Sequence, residues 1–289
     1  MTELMEGPKR VAAIHDISGI GRCSLTVIIP VLSAMGVQVC PVPTAVLSAH
    51  TGYGEFVMRD LTDYITPALE HYKKLGTSFD CIYSGFLASS EQIDHCLDFF
   101  ASYPDSFKVV DPVMGDNGTS YKTYTPELCA RMSELAAVAD LITPNLTEAA
   151  ILLGEPYPDG AMDRNVLRSW LVRLSQLGPG QVVITSVPMR AGGISTVGYD
   201  RDKNSFWRIT GEYVPISYSG SGDMFTSILI GGILGGDSLP IAMDRAEVFT
   251  QSAIKHTYSY GTPWTDGIMF EPLLGRLRAD RDLCEYTEL

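Results

Sequence analysis

The sequence predicts an α/β protein of one domain and three layers, in which helices cover both faces of a mostly parallel central sheet with an antiparallel edge. Short apolar runs alternate with helix-like segments over residues 10–184, which is typical of parallel strands joined by helical crossovers. Two β-rich runs, residues 194–199 and 205–209, are then separated only by turn signals, which indicates the antiparallel edge. The 289 residues, 45% of them hydrophobic, suffice for one large core, and no linker is evident.

The individual elements follow from composition and from residues that stop or start them. Apolar runs predict strands at residues 10–15, 37–46, 81–84, 108–110, 141–142 and 182–184. Helix-like segments predict helices at residues 23–35, 60–75, 90–101, 126–137 and 163–177. Gly36 and Gly76 end two of these helices, and Pro126 suits the first turn of another. Two long helices, residues 222–234 and 239–258, follow the antiparallel edge.

The charge of the chain limits its partners. A net charge of −13 and a pI near 4.7 argue against a nucleic-acid surface, which neutralises phosphates with clustered Lys and Arg. An acidic protein that handles an anionic nucleotide must concentrate donors or a metal ion locally, because its overall field repels the ligand. We therefore expect a small, well-defined anion site.

Cysteines and apolar segments indicate a soluble, cytoplasmic protein without a membrane partner. No apolar signal-peptide segment occurs in the first ten residues. The most membrane-like stretch, residues 224–234, is far shorter than the roughly 20 residues that a membrane span needs. The cysteines have no C-x-x-C or zinc-like spacing, and we expect reduced thiols. They are Cys23, Cys40, Cys81, Cys96, Cys129 and Cys284.

The most distinctive motif is Ser219-Gly220-Ser221-Gly222-Asp223, which leads directly into an apolar helix. Glycines allow several backbone N–H groups to point outward, and a helix N-terminus adds partial positive charge, so the motif can hold an anion. Ser221 and Asp223 are also suitable helix caps, and the sequence leaves both interpretations open. An Asp inside an anion cradle has a natural use as the acceptor of a proton from an attacking hydroxyl.

Two further polar segments, residues 111–118 and 143–148, follow predicted strands. Ligands bind at the carboxyl ends of strands in open parallel sheets. Carboxylates there suit Mg2+, which keeps several waters and contacts one or two carboxylates beside nucleotide phosphates. Each segment taken singly also fits a plain turn or a helix start.

Other phosphate-binding and hydrolase motifs are absent from the sequence. There is no G-x-x-x-x-G-K-[ST] motif, and the Gly19-x-Gly21 pair lacks its third glycine because Ser24 occupies that place. Neither a protein-kinase signature nor G-x-S-x-G nor H-E-x-x-H occurs. The sequence thus does not support a P-loop protein, a dinucleotide-binding fold or a hydrolase of a common type.

Six short segments along nearly the whole chain form a combined pattern. They are Pro43-Thr44 with His50-Thr51-Gly52-Tyr53-Gly54, Ser84-Gly85-Phe86-Leu87, Asp111-Pro112-Val113-Met114-Gly115, Thr143-Pro144-Asn145 with Glu148, Ile184-Thr185-Ser186, and Gly220-Ser221-Gly222-Asp223. The pattern resembles the pyridoxal kinases of the ribokinase-like superfamily. That resemblance implies a ribokinase-like fold and ATP-dependent phosphorylation of the 5'-hydroxyl of pyridoxal, pyridoxine or pyridoxamine. It also implies Mg2+ as cofactor, with a monovalent cation as a further candidate, and a homodimer.

The resemblance assigns roles to individual residues. Asp223 is similar to the family's catalytic base, and Gly220, Ser221 and Gly222 to its anion hole. The positions similar to the nucleotide side are Asp111, Asp116, Asn145, Glu148, Thr185 and Ser186, with Asp111 and Glu148 near the metal, Glu148 through water. The positions similar to the substrate side are Asp16, Thr44, His50, Tyr53 and Phe86. Residues 112–124 are expected to form a flap that shields the phosphates from water.

Two departures on the substrate side leave the substrate open. Asp16 stands where pyridoxal kinases usually have Ser, and Phe86 stands where they have Tyr. A carboxylate at position 16 would favour a protonated pyridine ring, but Asp16 also suits a simple turn. The alternatives are a hydroxymethylpyrimidine kinase, a nucleotide-dependent dehydratase of the same fold, and a catalytically silent vitamin-binding protein. Asp223 argues against the first, because many of those kinases have Cys there, and also against the last.

Overall fold

The fold is built on a ten-stranded sheet, which the computed structural model describes within residues 7–121, 124–189, 193–212, 214–278 and 286–288. Cys284, residues 1–6 and residues 122 and 123 of the expected flap lie outside these ranges. The strands are β1 (Arg10–Ile20), β2 (Gln38–Ala49), β3 (Met58–Asp60), β4 (Cys81–Ser84), β5 (Phe107–Val110), β6 (Gly115–Asp116), β7 (Thr119–Ser120), β8 (Leu141–Ile142), β9 (Gln181–Pro188), β10 (Ile194–Asp200), β11 (Ser205–Gly211) and β12 (Tyr286–Glu288). The α-helices are α1 (Leu25–Ala34), α2 (Thr62–Lys74), α3 (Glu91–Ser102), α4 (Pro126–Ala137), α5 (Leu146–Leu153), α6 (Arg164–Gln176), α7 (Ser221–Leu234) and α8 (Leu239–Tyr260).

The sheet is parallel in its centre and antiparallel at both edges. Its order is β12-β11-β10-β9-β8-β5-β4-β1-β2-β3. All neighbours from β9 to β2 are parallel, as the alternation of strands and helices predicts. The strands from β9 to β12 pair antiparallel, which confirms the predicted edge. A second antiparallel edge, β2 with β3, was not predicted, because β3 has only three residues, all exposed, and Met58 alone among them is apolar.

Two cores lie on opposite faces of the sheet, because alternate strand residues point to opposite sides. In β1, Ala12 and Ile14 contribute to the core that α2 to α6 cover. Val11 and Ala13 contribute to the core beneath α1, α7 and α8. This confirms the predicted arrangement of helices on both faces.

Helix α7 occupies the stretch that resembled a membrane segment, and it is buried between other helices. A Cβ at Gly231 would lie 2.5 Å from the sulfur of Met35, and one at Gly232 would lie 3.1 Å from the Cβ of Ala242. The small residues of this helix therefore let α1 and α8 approach it closely. Among the described residues no helix combines the length and the apolar character that crossing a membrane requires.

Helix α5 was not predicted as an element, although its first residues were recognised as a suitable helix start. It has only eight residues, and Gly154, with φ of 65°, ends it in the left-handed conformation. So short an apolar run cannot be distinguished from a strand by its periodicity.

Candidate active site

A cleft of about 980 Å3 lies where the parallel strands end. Residues in β1 and β9, residues after β4, β5 and β8, and the start of α7 line it. This is the usual ligand position in parallel sheets. Five carboxylates and two imidazoles face the cleft, and none of the described residues that line it is Lys or Arg. Backbone amides and side-chain hydroxyls are the donors that these described residues offer to a bound anion.

The first turn of α7 supplies backbone amides to the cleft. Gly220 precedes the helix with φ of 81°, and a Cβ there would lie 2.2 Å from the carbonyl oxygen of Arg22, so only glycine fits. The amides of Gly222 and Asp223 have no hydrogen-bond partner among the described residues. They lie at the positive end of the helix dipole. Because the Asp223 side chain bonds outside its own helix, the geometry favours an anion cradle over a simple cap.

Asp223 projects from this turn and is fixed by two neighbours. Its Oδ2 accepts a hydrogen bond of 2.7 Å from the backbone N–H of Ser24. Its Oδ1 lies 3.1 Å from Nε2 of His15, and the side chain stays 12% exposed. The carboxylate is therefore held in one orientation while it can still reach a ligand.

His15 connects Asp223 to Asp16 beneath the cleft. The Nδ1 atom of His15 lies 3.1 Å from Oδ1 of Asp16. Asp16 also accepts hydrogen bonds from the hydroxyls of Ser18 and Ser24, on Oδ2 and Oδ1 respectively. The sequence did not single out His15, because a lone histidine at the end of an apolar strand has no distinctive spacing. Its position directly before Asp16 was the only available signal.

The charges in this row of side chains depend on one another. Burial alone would lower the pKa of His15, but hydrogen bonds and attraction to Asp16 and Asp223 raise the pKa to about 10. Burial would raise the pKa of Asp16, but His15, Ser24 and Ser18 lower that pKa below its ordinary value. Both pKa shifts favour an ionised Asp16 beside a protonated His15.

Asp111 and Glu148 lie in an environment that opposes ionisation of their carboxyl groups. Burial and the Asp223 carboxylate raise the pKa of Asp111 to about 7. Burial and the Asp111 carboxylate raise the pKa of Glu148 well above its ordinary value. Two buried carboxylates that resist ionisation are stabilised by a bound divalent cation. No group of three His, Cys, Asp or Glu side chains among the described residues could hold a metal directly, so the residues fit an ion that keeps most of its waters.

Asn145 and Glu148 also have a structural role at the start of α5. The Asn145 side chain accepts from the Glu148 N–H at 3.0 Å, and Glu148 Oε2 accepts from the Asn145 N–H at 2.8 Å. This is a capping box. The other oxygen of Glu148 accepts from the Met114 N–H at 3.1 Å. Both interpretations of Glu148, helix start and cleft carboxylate, thus apply to the same side chain.

The expected flap is a small hairpin formed by β6 and β7. Its turn, Asn117-Gly118, has φ of 50° and 75°, as two-residue hairpin turns require. The start of α5 anchors it, because Asn145 Nδ2 donates to the Gly115 carbonyl and the Gly118 N–H donates to the Thr147 hydroxyl. Asp116, whose pKa is raised by burial, faces the cleft from this hairpin.

Thr185 and Ser186 reach the cleft from β9. The Thr185 N–H donates to the Pro144 carbonyl, which joins this strand to the segment after β8. Ser186 has φ of 58°, a conformation that non-glycine residues rarely adopt. Ser24 and Asn117 share this feature, with φ of 56° and 50°, and also line the cleft. Such backbone strain is concentrated at functional sites.

The predicted substrate-side residues separate into two groups. Phe86 and His50 line the cleft. Thr44 is fully buried behind Phe86, where its hydroxyl donates to the Phe86 carbonyl at 3.0 Å. Tyr53 lies in a neighbouring shallow groove and donates to Asp266 at 3.0 Å. Direct substrate contact by Thr44 and Tyr53 stays a prediction, and the structure brings neither to the cleft wall.

His50 is tied to the backbone at both ring nitrogens. Its Nδ1 accepts from the Gly52 N–H at 3.1 Å, and its Nε2 lies 2.7 Å from the Thr265 carbonyl. With Nδ1 accepting from Gly52, Nε2 is the ring nitrogen that can donate to the Thr265 carbonyl. His50 therefore fixes the wall formed by residues 50–54 and 264–266, in addition to facing the cleft.

Thirteen of the predicted site residues line one cleft. They are Asp16, His50, Phe86, Asp111, Asp116, Asn145, Glu148, Thr185, Ser186, Gly220, Ser221, Gly222 and Asp223. Their roles stay predictions.

Comparisons with known proteins agree with this geometry. The sequence matches the profile of the family described as phosphomethylpyrimidine kinase over residues 29–266. A Bacteroides thetaiotaomicron protein assigned to the phosphomethylpyrimidine kinases, in a crystal structure with pyridoxal, is 44% identical with a TM-score of 0.94, and the match covers 98% of this chain and 100% of that one. The pyridoxal kinase of Lactobacillus plantarum is 30% identical with a TM-score of 0.84, over 93% and 96% of the two chains. A pyridoxal kinase of Leifsonia xyli is 29% identical over 76% of this chain and 79% of its own.

Proposed function

The chain belongs to the phosphomethylpyrimidine kinase family, and from this premise we propose that it transfers the γ-phosphoryl group of ATP to the 5'-hydroxymethyl group of pyridoxal, pyridoxine or pyridoxamine. The observation that carries the proposal is the carboxylate of Asp223, held beside two unpartnered amides at the start of α7. This arrangement offers a base for the hydroxyl and donors for the transferred phosphoryl group within one turn of helix.

The reaction is an in-line displacement that depends mainly on positioning. The substrate oxygen attacks the γ-phosphorus, the bond to ADP breaks, and Asp223 takes the hydroxyl proton. The amides of Gly222 and Asp223 face the charge on the transferred group. The β6–β7 hairpin covers the phosphates and excludes water.

Mg2+ supplies charge neutralisation for the nucleotide phosphates in this proposal, and a monovalent cation is a further candidate. Asp111 and Glu148 are the residues suited to hold the ion's waters. Burial and neighbouring carboxylates raise their pKa values, and a nearby cation would stabilise their ionised forms. Asp116, Asn145, Thr185 and Ser186 are assigned to the nucleotide side, as the resemblance implies.

A vitamin B6 compound is favoured over a hydroxymethylpyrimidine as substrate. The Bacteroides relative was crystallised with pyridoxal, and the Lactobacillus relative is a pyridoxal kinase. Phe86 offers an aromatic face to the ring, since it lines the cleft and packs edge-on against Tyr124 at 5.9 Å. Asp16 is assigned to the ring nitrogen.

Substrate profiling tests the proposal. ADP release is measured with the three vitamers and with hydroxymethylpyrimidine, and the phosphorylated product is identified by mass spectrometry. We expect ADP and a phosphorylated vitamer in equal amounts. Phosphorylation of hydroxymethylpyrimidine alone supports the pyrimidine kinase, phosphate release without a phosphorylated product supports a dehydratase, and tight vitamin binding without ATP turnover supports a silent binding protein.

The proposal includes a cytoplasmic homodimer of one-domain subunits. Val46, Val57 and Met58 support the dimer, because these apolar side chains are exposed on or beside the edge strand β3 and its neighbour β2. Light scattering after size exclusion should give the mass of two chains. Val57→Asp should shift the protein to one chain if this edge is the interface.

A further inference from the structure

The row Asp16–His15–Asp223 is a buried charge cluster at the cleft that the proposed reaction does not yet use in full. His15 lines the cleft but is only 2% exposed, and neighbouring groups occupy both of its ring nitrogens. Its two nitrogens nevertheless each face a carboxylate oxygen at 3.1 Å, one on the substrate side and one on the proposed base. A histidine in this position can act only through those carboxylates.

We infer that His15 is an imidazolium that bridges Asp16 and Asp223, and that this bridge positions Asp223 for proton transfer. His15 is thus a positioning residue, and the inference rests on the proposed role of Asp223 as the base. It adds to that proposal that a residue of β1, His15, orients the base, which itself lies on α7.

Asp16 and Asp223 each need a donor from the ring, although two backbone N–H groups also point at the ring nitrogens. An ionised carboxylate only accepts hydrogen bonds, and a neutral imidazole donates from one nitrogen only. Only the doubly protonated ring satisfies Asp16 and Asp223 together. Backbone N–H groups of Asp16 and Phe86 also lie 3.1 and 3.3 Å from the two ring nitrogens, but bonds to charged acceptors are the stronger ones.

The charges around His15 favour the same state. His15 faces Asp16 on β1 and Asp223 on α7. Asp111, directly after β5, contributes a third acidic group. Tyr83 on β4 packs edge-on at 6.1 Å, and burial raises its pKa well above the ordinary value, so it adds no charge. A cation among these carboxylates offsets the repulsion between them.

The adjacent backbone is adapted to the ring. A Cβ at Gly85 would lie 2.1 Å from Nε2 of His15. Gly85 therefore leaves the space that the imidazole occupies, directly before Phe86 at the substrate wall. The substrate side and the base share His15 as a common support.

Nuclear magnetic resonance of 15N-histidine protein tests the protonation state without any turnover. The expected result is one ring, absent from the spectrum of His15→Gln, with both nitrogens protonated from pH 6 to 8.5. A His15 ring that is neutral at pH 7.5 overturns the inference whatever the activity, whereas loss of the proposed function would leave this result unchanged. If the variant fails to fold, the His15 signal can be identified in the wild-type spectrum once the signals of the other four histidines have been assigned.

Kinetics of His15→Gln test the effect on the base. The variant keeps a donor for one carboxylate and removes the positive charge. We expect kcat to fall about tenfold or more with KM for ATP unchanged, and the acid limb of the kcat profile to move to higher pH by about one unit. The matched control is His95→Gln on α3, a half-buried ring outside the cleft lining, which lies 2.9 Å from the Thr66 hydroxyl and 3.8 Å from the Glu91 carboxylate. An acid limb at the same pH in His15→Gln and wild type contradicts the inference.

Discussion

Asp223 is the residue on which the proposed chemistry depends most directly. Asp223→Asn preserves the shape of the side chain and one acceptor for the Ser24 N–H, but it removes the proton acceptor. We expect kcat to fall by about a hundredfold to ten-thousandfold while ATP still binds. The measurement is turnover at saturating substrate beside ATP affinity from calorimetry. Near-normal turnover would make Asp223 a structural residue of the α7 turn.

Asp16 should determine which protonation state of the vitamin binds. Three protein donors hold Asp16 ionised, and a carboxylate can accept a further bond from a protonated pyridine nitrogen. Vitamin affinity should then fall as pH rises through the titration of that nitrogen, because the pyridinium loses its proton. Asp16→Ser should flatten this dependence and weaken binding at low pH by about tenfold or more. Identical affinities of the two proteins across that range would restrict Asp16 to supporting His15.

The site features that could not be predicted from single residues depend on contacts between residues far apart in the sequence. Asp223 was identified because glycines beside an Asp form a recognisable local motif. His15 was not, because its partner on α7 is brought to it only by the sheet. The positive φ of Ser24 and Ser186 likewise follows from the folded backbone and has no counterpart in residue type.

The β6–β7 hairpin is the element whose shape should control water. A Cβ at Gly115 would lie 2.4 Å from the Thr119 carbonyl oxygen, across the hairpin. Gly115→Ala should therefore displace the hairpin, lower vitamin phosphorylation by about tenfold to a hundredfold, and raise the share of ATP that is hydrolysed by water. Gly275→Ala is the control, since a Cβ there meets nothing within 4 Å. An unchanged ratio of phosphorylated vitamin to ADP would remove the hairpin from water exclusion.

Elements were predictable where their own residues carry the pattern. The central parallel strands are apolar on both faces and are flanked by helices with clear ends, so their sequence order was evident. Helix α5 is too short for its period to be distinctive, and β3 is exposed at all three positions. The hairpin was foreseen only as a polar loop, because its pairing depends on Asn145 and Thr147 from α5.

The stability of the whole molecule should depend on Asp111. In the folded chain its pKa is about 7, against 3.8 as the ordinary value, so the folded state binds the extra proton between these values. Stability is therefore lost as pH rises from about 4 to about 7, and the loss persists above 7. Asp111→Asn removes that titration. Without nucleotide and divalent cation, the variant should gain about 1–3 kcal/mol in unfolding free energy at pH 8 and little at pH 4.

Urea unfolding at both pH values measures this difference, with Asp98→Asn on α3 as the control at an exposed position. The same Asp111 variant should lose kinase activity, which would show stability given up for function at this site. Equal gains at pH 4 and pH 8 would mean that the substitution acts through packing and that Asp111 titrates normally.

The five carboxylates that face the cleft have a consequence for the form in which the nucleotide binds. Lysine-rich phosphate sites attract ATP in any form, whereas this acidic wall repels an uncomplexed polyphosphate. The saturating species is then the magnesium complex, and ATP added in excess of magnesium should be a weak competitor. At a fixed total nucleotide concentration, the reaction velocity should follow the concentration of free magnesium. The supply of magnesium then limits phosphorylation of the vitamin as directly as the supply of ATP does.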